Sequence, residues 1–153
     1  MKKQNKNGLT LIELMITVVV SSIVILTAAS VLILVFQSWR INNAYAEMRR
    51  DAALAVYLMA RDVRESDMTN IIEATTGRLE LSAHPPARNN AVTYTKTADR
   101  LASDSFGLII PRGLQTFSAQ TNSPGDGVYL TIGMTNFAYG IAMTNQVFVN
   151  TRN

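Results

Sequence analysis

From Leu14 to Phe36 the chain runs 23 residues without a charged side chain, and Val, Ile and Leu dominate the stretch. A helix of that length extends ~35 Å at ~1.5 Å per residue, more than the ~30 Å hydrocarbon core of a bilayer. Thr17, Ser21, Ser22, Thr27 and Ser30 add small polar groups that can bond back to the helix or to neighbouring helices. The pattern changes beyond Phe36. Across 37–67 the apolar positions Ile41, Tyr45, Met48, Ala52, Ala55 and Met59 recur at alternating spacings of four and three, which is one stripe of an amphipathic helix. Neither Pro nor Gly occurs from Leu9 to Asp67, so one helix of up to 59 residues can run through both patterns. Glu47, Arg49, Arg50, Asp51, Arg61, Asp62, Arg64 and Glu65 fall mostly off the stripe. They are expected to form a solvated face with ion pairs three and four residues apart.

After Asp67 the pattern becomes short alternating runs separated by turn signals. Strands are expected at 78–82, at 91–96, from Phe106 to Ile110, from Leu114 to Phe117, at 128–134 and around 145–149. His84-Pro85-Pro86, Pro111-Arg112-Gly113 and the run from Asn122 to Gly127 punctuate them. The predicted fold class is α+β: a long N-terminal helix whose second half packs on the apolar face of one C-terminal antiparallel sheet. Met-Thr-Asn recurs at 68–70, 134–136 and 143–145. Two copies nine residues apart are too few for a solenoid and point to a hairpin or to coincidence.

A length of 153 residues leaves room for one domain and one membrane segment. The net charge of +3 first suggests a polyanion partner. Lys2, Lys3 and Lys6 account for all of it, however, since without them 11 basic side chains face 11 acidic ones. A basic head before an apolar run reads as a targeting signal with its N-terminal side in the cytoplasm, and no nucleic-acid partner is expected. Trp39 falls at the membrane edge, where an indole anchors well. With no cysteine there is neither a disulfide nor a thiolate site. His84 stands alone in a loop, and no second His or Cys completes a nucleophile or zinc set. Ser123-Pro124-Gly125-Asp126-Gly127 offers one carboxylate, too few for calcium, and reads as a turn. Neither enzymatic activity nor a cofactor or metal is expected.

Glu13 is the residue that hydropathy does not explain. A carboxylate at mid-bilayer costs roughly 2.5–3.5 kcal/mol, and less near an interface. A cleaved secretory signal, with Thr27-Ala28-Ala29 at the cut, or a plain signal anchor would each account for the apolar run but not for Glu13. A cut between Gly8 and Leu9 would instead create an α-amino group four residues from it, at a helix N-terminus where negative charge is favoured.

The lysine-rich head followed by Gly8 and Leu9-Thr10-Leu11-Ile12-Glu13-Leu14 resembles the leader of type IV prepilins and of type II secretion pseudopilins. The resemblance implies a pilin-like fold and a division of the chain into a leader (1–8), a transmembrane and filament-core helix (9–36), an amphipathic continuation (37–67) and a β-rich periplasmic region (68–153). It implies cleavage by a prepilin peptidase between Gly8 and Leu9, N-methylation of Leu9, and a role for Glu13 in subunit assembly. The implied partners are other pilins or pseudopilins, an inner-membrane assembly platform and membrane lipid. The implied location is the bacterial inner membrane, as a single-pass protein whose C-terminal region is periplasmic. Two positions depart from the family pattern: Leu9 stands where Phe is commoner, and Ser30 where many major pilins carry a kinking proline. The stretch Met59-Ala60-Arg61-Asp62-Val63-Arg64-Glu65-Ser66 is similar to that of J-type minor pseudopilins. A minor pseudopilin is the expected function, with a minor type IV pilin for pilus initiation, adhesion or DNA uptake as the alternative and a signal-anchored periplasmic binding domain as a second.

Overall fold

The computed structural model describes residues 10–66, 69, 71–82, 90–122 and 126–151. One helix, α1 (Leu11–Arg64), precedes eight strands: β1 (Ile71–Thr75), β2 (Arg78–Leu81), β3 (Val92–Thr97), β4 (Arg100–Ser103), β5 (Gly107–Ile110), β6 (Leu114–Thr121), β7 (Gly127–Asn136) and β8 (Ile141–Asn150). The helix is 54 residues long, as expected of a stretch without Pro or Gly. The chain forms two compact units, residues 1–42 and 43–153, and α1 contributes to both.

In the first unit every described residue is exposed. The hydroxyls of this apolar helix return to its own carbonyls: Thr17 Oγ1 donates to Glu13 O at 2.6 Å, Ser22 Oγ to Val19 O at 2.7 Å, Thr27 Oγ1 to Val24 O at 2.9 Å and Ser30 Oγ to Leu26 O at 2.9 Å. They therefore offer hydrocarbon little unsatisfied polarity.

The second unit holds two antiparallel sheets rather than the single one expected: five strands in the order β1-β2-β3-β4-β5, and three in the order β6-β7-β8. β1 and β4, at five and four residues, are too short for their alternation to stand out in the sequence. The chain passes from one sheet to the other at Pro111-Arg112-Gly113. Gly113 adopts φ +80°, and its carbonyl accepts the Thr135 N–H of β7 at 2.8 Å. Gly77 (φ +96°) joins the sheets at their other meeting point: its N–H donates to Phe117 O in β6, and its carbonyl accepts Lys96 N–H in β3, both at 2.8 Å.

The amphipathic stripe is buried from Met48 onward. Met48, Ala52, Ala55, Met59 and Val63 share one core with Leu79, Leu81, Tyr94 and Leu101 of the first sheet and Phe117, Leu130 and Ile132 of the second. Alanines let the helix backbone approach, and flexible methionines fill the gaps between. Of the expected stripe, Ile41 is exposed and Tyr45 half-buried. Ile41 falls in the first unit, and at the start of the second the buried position is Ala44 instead. The paired Met-Thr-Asn copies belong to the β7–β8 hairpin, in which Met134 is the register partner of Met143.

Candidate functional site

Gly8, Leu9, Lys2, Lys3 and Lys6 lie outside the described residues, as do His84 and the turn residues Ser123-Pro124-Gly125. The site is therefore built from Thr10 onward. Thr10 is the N-cap of α1 and Glu13 its third helical residue. Glu13 Oε2 accepts both the Thr10 N–H and the Thr10 hydroxyl at 2.9 Å, while Glu13 N–H donates to Thr10 Oγ1 at 3.4 Å. This is a reciprocal capping box, which satisfies two backbone donors that the helix itself leaves free. The Thr-x-x-Glu signal for it is plain in the sequence, although hydropathy and charge alone pass over Thr10.

Beyond the cap, α1 is long and apolar enough to cross a membrane. Between Leu14 and Phe36 there are 15 Leu, Ile, Val and Phe residues. At ~0.3–0.6 kcal/mol each they favour insertion by roughly 5–9 kcal/mol, more than the ~2.5–3.5 kcal/mol a mid-bilayer carboxylate costs. Insertion thus tolerates Glu13 without a charge partner. Trp39 is exposed at the far end of this stretch.

Of the charged residues in the second half of α1, Glu47, Arg49, Arg50 and Arg64 are exposed as expected of a solvated face, whereas Asp62 is buried. Their closest ion pairs join sequence neighbours: Arg50–Asp51 at 3.3 Å and Arg61–Asp62 at 2.9 Å. Asp62 is buried, with 2% of its surface exposed. Its Oδ1 accepts from Arg61 Nη2, and its Oδ2 accepts the Tyr94 hydroxyl of β3 at 2.7 Å. Ser66 Oγ closes the helix end on Asp62 O at 2.7 Å. Bonding to Asp62 raises the Arg61 pKa above its ordinary value, with burial opposing, and the guanidinium also stacks 5.1 Å from the Phe106 ring. Asp62 escapes a periodicity reading because burial of a charge depends on a tyrosine 32 residues away in the chain.

A cleft of about 410 Å³ opens between α1 and the β7–β8 turn, lined in part by Glu47, Asp51, Asp99, Arg112 and Phe137. Its carboxylates face cations already: Glu47–Arg112 at 3.9 Å, Asp51–Arg50 at 3.3 Å and Asp99–Arg100 at 3.9 Å. Asp126 is held within its own turn, where Asn122 Oδ1 accepts the N–H groups of Asp126 and Gly127 and the Asn122 amide donates to the Asp126 carboxylate. Among the described residues, no three His, Cys, Asp or Glu side chains are grouped to hold a metal.

The model of the prokaryotic N-terminal methylation motif matches residues 3–29. The chain carries a type IV prepilin-like leader. The motif and the α+β layout of one long apolar helix with antiparallel sheets support a pilin-like filament subunit, one that a peptidase processes and that assembles with other pilins. No curated protein and no solved structure matches. The prepilin-type start also gives the cap a consequence. Both partners of the box lie beyond Gly8, so the Thr10–Glu13 bonds draw on none of residues 1–8. Glu13 Oε2 is engaged in the box.

Proposed function

We propose that the protein is a minor pseudopilin of a type II secretion system, a structural subunit and not an enzyme. It is cleaved between Gly8 and Leu9, methylated on Leu9, and held in the bacterial inner membrane with its N-terminus cytoplasmic and residues 68–153 periplasmic. An assembly platform then draws it into a thin filament whose core is packed apolar helices. In that core Glu13 of one subunit meets the α-amino group of another, and the loss of hydration at both charges is offset only when they pair. The observation that carries this reading is the methylation motif at residues 3–29 running directly into an exposed apolar helix with Glu13 in its first turn. The J-type resemblance of residues 59–66 and the absence of cysteine throughout the chain support a minor secretion subunit.

A second reading has one specific observation in its favour. The capping box gives Glu13 a purely local role, which would suit a signal-anchored periplasmic domain. Intact mass of the chain purified from its own membranes separates the two. Loss of residues 1–8 with one methyl group on Leu9 is the expected result. An intact N-terminus in cells with an active prepilin peptidase overturns the filament reading.

A further inference from the structure

The three-stranded sheet ends in a strand whose outer edge pairs with nothing among the described residues. β8 is ten residues long and pairs with β7 over ten consecutive positions without a bulge. Its sequence, Ile-Ala-Met-Thr-Asn-Gln-Val-Phe-Val-Asn, contains no charge, no proline and no glycine. Proteins ordinarily blunt such an edge by shortening it, bulging it, or placing Lys or Pro on it. The outer edge of the five-stranded sheet is blunted in this way: β5 has four residues, its pairing with β4 is irregular, and Pro111 follows it. The same molecule thus protects one edge and leaves the other bare.

Burial along β8 points the same way. On the core-facing row of β7, Val128, Leu130 and Ile132 are fully buried. On the matching row of β8, Val149 is buried, whereas Ile141, Met143 and Val147 are only partly buried although they pack on the core, and the polar Asn145 is half-buried among them. On the opposite face Phe148 stacks on Tyr129 with ring centroids 4.7 Å apart, and both stay about two-fifths exposed. From Ile141 to Val147 the row facing the core is left half-covered, beside the edge where a further strand would lie.

We infer that this edge pairs with a second copy of the chain, β8 against β8 and antiparallel, joining two three-stranded sheets into one of six strands. The occupant must be a strand, because alternate residues of β8 turn their N–H and C=O groups outward. The strand is complementary to itself. With Asn145 opposite its own copy, Met143 meets Val147, Ile141 meets Val149, Thr144 meets Gln146 and Ala142 meets Phe148. On the core side apolar residues oppose apolar ones on either flank of a central Asn145–Asn145 pair, and no like charges are brought together on either face. Membrane anchoring through the apolar helix concentrates copies in two dimensions and favours a contact of this modest size. The inference stands independently of whether a filament is built.

The test uses the full chain in detergent micelles. Asn145→Cys places two cysteines directly opposite, with Cα atoms about 4.5–5.5 Å apart, inside the range a disulfide accepts. It is expected to form a covalent dimer on mild oxidation, whereas Asn150→Cys, far from its own copy in this register, is not. Residues 144 and 146 are exposed in the single chain, so charges there leave its core intact. T144K/Q146K sets lysine against lysine twice and should weaken dimerisation roughly tenfold in sedimentation. T144K/Q146E sets lysine against glutamate and should retain it. A dimer indifferent to both charge pairs, equal crosslinking at both cysteine positions, or a monomer with the native β8 sequence would each overturn the inference.

Discussion

Tyr94→Phe probes the buried node that joins the end of α1 to the five-stranded sheet. The substitution keeps the ring, so no cavity opens, and it removes only the hydroxyl that donates to Asp62 Oδ2 at 2.7 Å. Both partners are buried and the acceptor is a carboxylate, so the loss should cost about 1.5–3 kcal/mol. With a urea slope of about 2 kcal/mol per molar, that moves the unfolding midpoint down by roughly 1 M. The full chain in detergent can be read by pulse proteolysis, in which the β-rich region is cut only when it unfolds. Asp62→Ala and the double variant complete a cycle, whose coupling should exceed about 1 kcal/mol for two residues in direct contact. The Arg50–Asp51 pair supplies the contrast. It has a similar separation, but Arg50 is 76% exposed, so Arg50→Ala should change stability by less than about 0.5 kcal/mol. A Tyr94→Phe cost below about 0.5 kcal/mol, or a cycle without coupling, would refute the claim that Asp62 is held by the sheet.

Two further outcomes follow from the geometry. Glu13→Gln keeps an oxygen that can accept the Thr10 N–H, so the capping box survives while the charge is lost. Membrane insertion and cleavage should be unchanged and incorporation into filaments, measured in sheared fractions, should drop severalfold; unchanged incorporation would leave Glu13 with a capping role alone. Ala98, in the two-residue turn between β3 and β4, sits at φ +54°. Asn accepts that conformation more readily than Ala, so Ala98→Asn should raise stability by about 0.5–1 kcal/mol, visible as a higher urea midpoint, and a lower midpoint would contradict the turn geometry.

Local physical chemistry carries the first third of this chain. A run of 23 uncharged residues can only be a helix in lipid or in a bundle, and a lysine-rich head with Gly8 and Glu13 marks the leader without any tertiary information. The Thr10–Glu13 cap is equally local, since its partners are three residues apart. The 3.6-residue period exposed the buried stripe from Met48 to Met59 for the same reason: a helix repeats its own geometry whatever it packs against. Elsewhere the partner decides. Alternation showed that residues beyond Asp67 form strands but not which strand pairs with which. The division into two sheets turns on Gly113 and Gly77, whose backbones bond across to β7, β6 and β3. Asp62 looks like any surface acid until Tyr94 is brought against it, and β8 looks like any strand until its neighbour is present on one side only. Short-range patterns register what a residue prefers, whereas the energy of a buried charge or an open edge belongs to whatever the fold sets beside it.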